Sequence, residues 1–313
     1  MSYQKSHQNK VYVYPQLHGV DLVFLRIGGV GLGNLLFPFA RAVIFAKRYG
    51  FRLIAPTWFQ IKLGPLMRGE EDKRLYSDLF DSCDYINGIK KFLILFFKKL
   101  NGDIYVDNLP WDIISHSNYP LVFIFKGMGN LFDDIKDGHA IVYEEILKIT
   151  KERHLSKIKN NKEFIIGIHI RMGDFVVNKN ETAAFSYRAD LGWYMGCIDR
   201  IRQVLQYPAK ALIFSDGNEH ELSRVLQMGS VEKVYYGSAI SDILALSKCD
   251  VLIASRSTFS MWASYLGRMP TLYPPGFREI VHLDCFEGDV SGDEDLPERL
   301  KSDLMIRFKQ KSE

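Results

Sequence analysis

From Phe164 to Tyr273, apolar runs of strand length alternate with amphipathic stretches of helix length, and this alternation constrains the fold more than any other feature of the chain. The strand-length runs are Phe164 to Ile170, Ala211 to Phe214, Lys233 to Tyr236, Val251 to Ala254 and Thr271 to Tyr273. Helical patterns occupy Trp193 to Gln206, Glu219 to Met228, Ser241 to Ser247 and Thr258 to Leu266. Continuous apolar runs suit strands buried on both faces, which is the condition of a parallel sheet covered by helices. The spacing therefore predicts a Rossmann-like domain.

A second unit of the same kind opens the chain. Leu22 to Ile27 reads as a buried strand, Gly28-Gly-Val-Gly-Leu-Gly-Asn34 as a loop, Leu35 to Arg48 as a helix ending near Gly50, and Arg52 to Ala55 as the next strand. At 313 residues the chain is about twice a typical domain. The helical pattern after Val142 dissolves into Lys157-Ile-Lys-Asn-Asn-Lys162, and the boundary is placed there. The expected organisation is a domain over 1–160 and another over 161–313, two facing Rossmann-like domains with parallel sheets. Residues 60 to 160 carry no clear repeat and predict only mixed α/β content.

Composition removes several function classes. With 40 basic and 37 acidic residues the net charge is +3, too balanced for a nucleic-acid partner. Cys83, Cys197, Cys249 and Cys285 are scattered, so neither a zinc cluster nor a disulfide framework is expected. The first ten residues are polar and no apolar run reaches the roughly 18 residues of a membrane span, which predicts a soluble, cytoplasmic protein. Lys90-Lys-Phe-Leu-Ile-Leu-Phe-Phe-Lys-Lys99 is an apolar hexamer between lysine pairs. It reads either as a peripheral contact with the inner face of an anionic membrane, where a lipid-linked acceptor would lie, or as a buried element with lysines snorkelling at its ends. The buried reading is favoured, because short apolar runs are ordinary core segments.

Chemistry concentrates at the ends of strands. Phe164-Ile-Ile-Gly-Ile-His-Ile-Arg-Met-Gly-Asp174 begins as an apolar strand yet delivers His169 and Arg171 to one face at period 2. Charge is costly in such a strand unless it opens onto a cleft, and a guanidinium suits a pyrophosphate because its planar donors bridge two oxygens. The alternative is an Arg171–Asp174 ion pair closing a turn. Leu212-Ile-Phe-Ser-Asp-Gly217 ends likewise in Ser215 and Asp216, which either meet a ligand or cap a helix. Asp242 falls in the first turn of a helix, as a charge partner of the helix start or an acceptor for a base edge. Val251-Leu-Ile-Ala-Ser-Arg-Ser-Thr-Phe-Ser-Met-Trp262 runs a strand into a hydroxyl-rich helix start. There Ser257, Thr258 and Ser260 with free backbone N–H groups would cradle phosphate, although a cap needs only one hydroxyl. The glycine loop carries a weak dinucleotide pattern, but Arg52-Leu-Ile-Ala-Pro-Thr supplies no acidic residue, so NAD is disfavoured. Gly31, Gly33 and Asn34 would instead bring backbone and an amide to the donor or acceptor, unless the loop only lets strand and helix pack. Phe132-Asp-Asp-Ile-Lys-Asp137 is a surface acidic cluster, and no metal is expected.

The order Gly31-Leu-Gly-Asn34 with Phe37 and Ala40, His169-x-Arg171-x-Gly-Asp174, Ser215-Asp216, Asp242 and Ser257-Thr-Phe-Ser260 with Trp262 resembles the α-1,2-fucosyltransferases of glycosyltransferase family 11, from about residue 22 to residue 276. More distantly it is similar to the α-1,6- and protein O-fucosyltransferases. The resemblance implies a GT-B fold and an inverting, metal-independent transfer from GDP-β-L-fucose, with no cofactor. It further implies that Arg171 binds the β-phosphate, that His169 and Asp242 lie near the guanine, and that Ser257, Thr258 and Phe259 line the phosphate and base pocket. Leu35 and Pro38 depart from the family's usual glutamines, Gly217 from its aspartate and Met172 from its second arginine. Asp174 and Glu181 are the two candidates for the general base. The rival readings are a GT-B transferase using another GDP- or UDP-sugar in surface polysaccharide synthesis, and a non-catalytic nucleotide or glycan-binding module.

Overall fold

A computed structural model of the protein describes residues 11–61, 75–82, 84–96, 99–101 (backbone alone), 121–158, 161–173, 189–277, 281–282, 284–291 and 294–312. The chain divides into two compact units, Met1–Leu155 and Ser156–Glu313.

The first unit contains β1 (Val11–Gln16), β2 (Val20–Asp21), β3 (Arg26–Ile27), α1 (Leu32–Tyr49), β4 (Arg52–Leu53), β5 (Gln60–Ile61), α2 (Gly88–Phe96), β6 (Lys99–Asn101), β7 (Leu121–Lys126) and α3 (His139–Ile149). Its main sheet has the order β4-β1-β7-β6, every pairing parallel. Helix α1 forms because its apolar positions make a continuous face, and Phe45 packs 5.2 Å from Phe123 and 5.3 Å from Phe125 of β7. It stops at Gly50, which at φ 70° turns left-handed and returns its N–H to the Ala46 carbonyl.

The strand expected over Leu22 to Ile27 is not a core strand. Leu22, Phe24 and Ile27 are exposed, and only Arg26–Ile27 pairs, in a small sheet β2-β3-β5. The segment is organised around the fully buried Arg26, whose guanidinium donates to the carbonyls of Thr57 (2.5 Å), His18 (2.5 Å) and Trp58 (3.3 Å). Five donors fixed in one plane are satisfied only if backbone carbonyls surround them, so the chain wraps the side chain. The core strand preceding α1 is β1, which follows a polar decapeptide. The buried element expected over Lys90 to Lys99 is also corrected: α2 is a helix that exposes Ile89, Phe92, Leu93 and Phe96, while Lys91 is buried beside Leu95.

The second unit contains β8 (Ile165–Ile170), α4 (Leu191–Leu205), β9 (Lys210–Ser215), β10 (Val231–Lys233), α5 (Ala239–Leu246), β11 (Val251–Ile253), α6 (Thr258–Gly267), β12 (Thr271–Tyr273), β13 (Glu287–Asp289) and α7 (Glu298–Ser312). Its parallel sheet runs β10-β9-β8-β11-β12-β13. Relabelled by appearance this is 3-2-1-4-5-6, the doubly wound order, with its reversal between β8 and β11. The strand expected over Lys233 to Tyr236 lies instead at Val231–Lys233, because as an edge strand it takes its register from β9, with Val231 opposite Ala211. The helix expected over Glu219 to Met228 is reduced to Ser223–Leu226.

Candidate functional site

In an open parallel sheet of this order the adjacent strands at the reversal send their following loops to opposite faces, which opens a crevice at their carboxyl ends. Here those ends belong to β8 and β11, and they carry His169, Arg171, Ser257 and Thr258.

His169 is the last polar residue of β8 and is 6% exposed. Its Nδ1 lies 2.8 Å from Ser255 Oγ and 2.7 Å from Ser260 Oγ, and the two hydroxyls are 3.0 Å apart. Its ring stacks on Phe259 at 4.6 Å and 17°. Burial lowers its pKa to about 3, against the raising effect of Asp216 and with the lowering effect of Arg171, so the imidazole is neutral. These contacts tie the end of β8 to the start of α6.

Arg171 follows immediately and is partly exposed. Its Nη1 stands 2.5 Å from Asp216 Oδ2. Asp216 also accepts the N–H of Met172 (2.8 Å) and of Gly173 (3.2 Å). Asp216 therefore braces the turn after β8, reaching across from the end of β9, and it fixes the guanidinium at the mouth of the crevice. A side chain at Gly173 would come within 2.7 Å of Asp216 Oδ2, which explains the glycine there. Asp174 and Glu181 lie outside the described residues.

The start of α6 is capped by Ser257, whose Oγ accepts from Phe259 N at 3.2 Å. Ser260 is fully buried and bonded to His169, with Ser255 N also donating to its hydroxyl at 3.2 Å. Ser260 thus leaves the expected phosphate cradle, because its hydroxyl is turned into the sheet rather than toward the crevice. Ser257, Thr258 and Phe259 remain half-exposed at the helix start. Ser255 was not anticipated; its signal is the five-residue spacing to Ser260, which folds one hydroxyl back over the cap onto the other.

Ser215 and Asp242 lie further along the same carboxyl edge. Ser215 Oγ accepts from Gly217 N at 3.0 Å, and Asp242 Oδ1 accepts from Tyr236 N at 2.7 Å in the first turn of α5, whose cap is Ser238. Both shape the loops that border the crevice. In the first unit, Gly31 is the residue before α1 and a side chain there would meet open space. Gly33 is buried and Asn34 half-buried within the first turn of α1. The glycines demanded by backbone shape are Gly28 (φ 73°) and Gly29 (φ 126°), the latter packed against Gln60 and the His18 carbonyl. Among the described residues, no group of three or more His, Cys, Asp or Glu is arranged to hold a metal ion.

Residues 92–274, more than half of the chain, match the sequence profile of Glycosyl transferase family 11. A comparison with curated proteins gave no match. Among solved structures, a mutant of Arabidopsis thaliana FUT1 in complex with GDP superposes with a TM-score of 0.50 at 14% identity, over 88% of this chain and 75% of that one. The α-1,6-fucosyltransferase NodZ co-crystallised with GDP, a Bradyrhizobium protein, aligns with a TM-score of 0.49 at 15% identity, over 83% of this chain and 92% of that one. The fold is that of the GT-B-like fucosyltransferases.

Proposed function

The chain belongs to glycosyl transferase family 11 and is a glycosyltransferase, and from that premise we propose that it transfers L-fucose from GDP-β-L-fucose to a hydroxyl of a glycan acceptor, in α-1,2 linkage and with inversion. The observation that carries this reading is the placement of Arg171, braced by Asp216, beside the capped start of α6 at the reversal point of the sheet. The similar fold of Arabidopsis FUT1, solved with GDP, supports a guanine nucleotide in that crevice.

In this reading the second unit binds the nucleotide sugar and the first the acceptor. As the acceptor hydroxyl attacks the anomeric carbon, the bond to the β-phosphate breaks and charge grows on the departing GDP. Arg171 and the N–H groups at the start of α6 neutralise it; a helix start carries about half a positive charge. These groups do the work of a cation, and the reading requires neither a metal nor a cofactor. Neutral, buried His169 adds no charge and instead holds Ser255, Ser260 and Phe259 so that the helix start faces the pyrophosphate. Asp242 and Phe259 border the base. Asp174 or Glu181 takes the proton of the attacking hydroxyl.

The test is a donor panel with GDP-fucose, GDP-mannose, UDP-glucose and UDP-galactose, following nucleotide release with and without EDTA. Turnover of GDP-fucose alone, unchanged by EDTA, is the expected result. Preference for a UDP-sugar, or loss of turnover in EDTA that a divalent metal restores, contradicts the proposal.

A further inference from the structure

Helix α2 is built the wrong way round for a core helix. Lys91, Ile94 and Leu95 form its inner side, with Lys91 2% exposed, while Ile89 (78%), Phe92 (42%), Leu93 (47%) and Phe96 (68%) stand in solvent. The spacing of the outer four is i, i+3, i+4, i+7, a single continuous stripe. Burying an ammonium and exposing four large apolar groups is the reverse of what folding alone selects.

The inner side is nonetheless satisfied. Lys91 Nζ donates to Thr57 Oγ1 at 2.9 Å and lies 5.3 Å from the centre of the Tyr14 ring. Thr57 Oγ1 in turn donates to Asp21, and Tyr14 donates to the same carboxylate. Burial pulls the Lys91 pKa down to about 8, against the raising effect of Asp21. The helix is thus fixed in its orientation by a polar network, and the apolar stripe is held outward.

The stripe does not stand alone. Phe92 and Phe96 line a cavity of about 160 Å³ together with Asp21 and Val23 of the β2–β3 hairpin. That hairpin exposes Val20, Leu22, Phe24 and Ile27. From Gly88 to Asn101 the sequence contains Lys90, Lys91, Lys98 and Lys99 and no acidic residue. Lys90 is exposed on the flank of the stripe.

We infer that the outer face of α2 and the adjoining hairpin form a docking surface for an anionic lipid bilayer. An apolar stripe flanked by the exposed Lys90, in a segment whose sequence carries lysines and no acidic residue, matches a surface whose interior is apolar and whose headgroups are negative. A second copy of this chain fits less well, because a two-fold contact across the stripe sets Lys90 against its own copy. At nine residues α2 is far short of the ~20 needed to cross, and no described helix of the protein is long and apolar enough to do so. The helix therefore lies in the interface, with its apolar face in the acyl boundary and the cavity beside it at the membrane plane.

The experiment uses the full chain, sedimented with vesicles of phosphatidylcholine alone or mixed with phosphatidylglycerol. Association with the anionic vesicles is expected, weakened by salt and absent with the neutral ones. Ile89→Ser/Leu93→Ser, which touches neither the cavity nor the site in the second unit, lowers partitioning about tenfold or more. Lys90→Glu lowers it about fivefold to thirtyfold. Circular dichroism and GDP binding of both variants match the parent. Three results overturn the inference: no sedimentation with anionic vesicles, sedimentation that both variants leave unchanged, or a dimer by light scattering that Ile89→Ser/Leu93→Ser dissolves.

Discussion

Asp216→Asn isolates the role of the brace behind Arg171. The carboxylate accepts three hydrogen bonds, from Arg171 at 2.5 Å and from the backbone of Met172 and Gly173 at 2.8 and 3.2 Å. Asparagine keeps the shape and one acceptor oxygen, but its amide nitrogen opposes the guanidinium. A hydrogen bond between charged groups contributes about 1.5–3 kcal/mol. With side chains 21% and 28% exposed, solvent screening reduces this to about 1–2 kcal/mol. If that energy is expressed as misplacement of Arg171 in the transition state, turnover falls about fivefold to thirtyfold. Arg171→Ala, which removes the charge itself, costs about a hundredfold to a thousandfold. The two changes are then not additive, and the double variant turns over like Arg171→Ala within about twofold. The assay is nucleotide release from GDP-fucose at saturating donor, with the urea midpoint of each variant recorded beside it. Full additivity, or an Asp216→Asn enzyme as fast as the parent, refutes the argument that Asp216 acts through Arg171. A urea midpoint that falls in proportion to turnover refutes it as well.

Three further outcomes follow from packing and charge. Gly167→Ala places a methyl group 2.7 Å from Leu246 and 2.9 Å from Cys249, and destabilises the second unit by about 1–3 kcal/mol in urea denaturation; an unchanged midpoint contradicts the close packing described for β8. Ser257→Ala removes the cap of α6, costs about 1 kcal/mol and weakens GDP binding together with stability; stability loss without weaker binding detaches the helix start from the nucleotide. Burial holds His169 at about 3 and His282 at about 4, below the usual value of about 6.5, so the unfolded chain takes up these protons first. Their contribution to stability is complete above about pH 6.5 and is lost as pH falls toward 4, with a slope approaching about 1.4 kcal/mol per pH unit for each group. Urea midpoints that do not move between pH 7 and pH 5 contradict this.

The second unit was readable because its central strands carry no polar interruption until their carboxyl ends, where His169, Arg171, Ser215 and Ser257 stand. Two strict periodicities, of strand and of helix, leave few alternative folds. The pairing of Arg171 with Asp216 is not readable in the sequence. Asp174 is nearer in sequence, and only the pairing of β8 with β9, Ile170 opposite Ser215, brings Asp216 into reach. The first unit resisted for a different reason. Hydrophobic pattern implies inward-facing apolar side chains, yet around Arg26 and Lys91 the charged groups are buried while Leu22, Phe24, Ile89 and Phe96 are exposed. Local pattern cannot report that inversion, since it depends on carbonyls and hydroxyls from Thr57, Trp58 and His18, which are distant in sequence from Lys91.

The most direct test of the account is calorimetric titration of the parent and Arg171→Ala with GDP, UDP, CMP and ADP, with and without EDTA. Selective GDP binding that survives EDTA and is lost in the variant is the expected result. Preference for UDP, or GDP binding indifferent to Arg171, contradicts it.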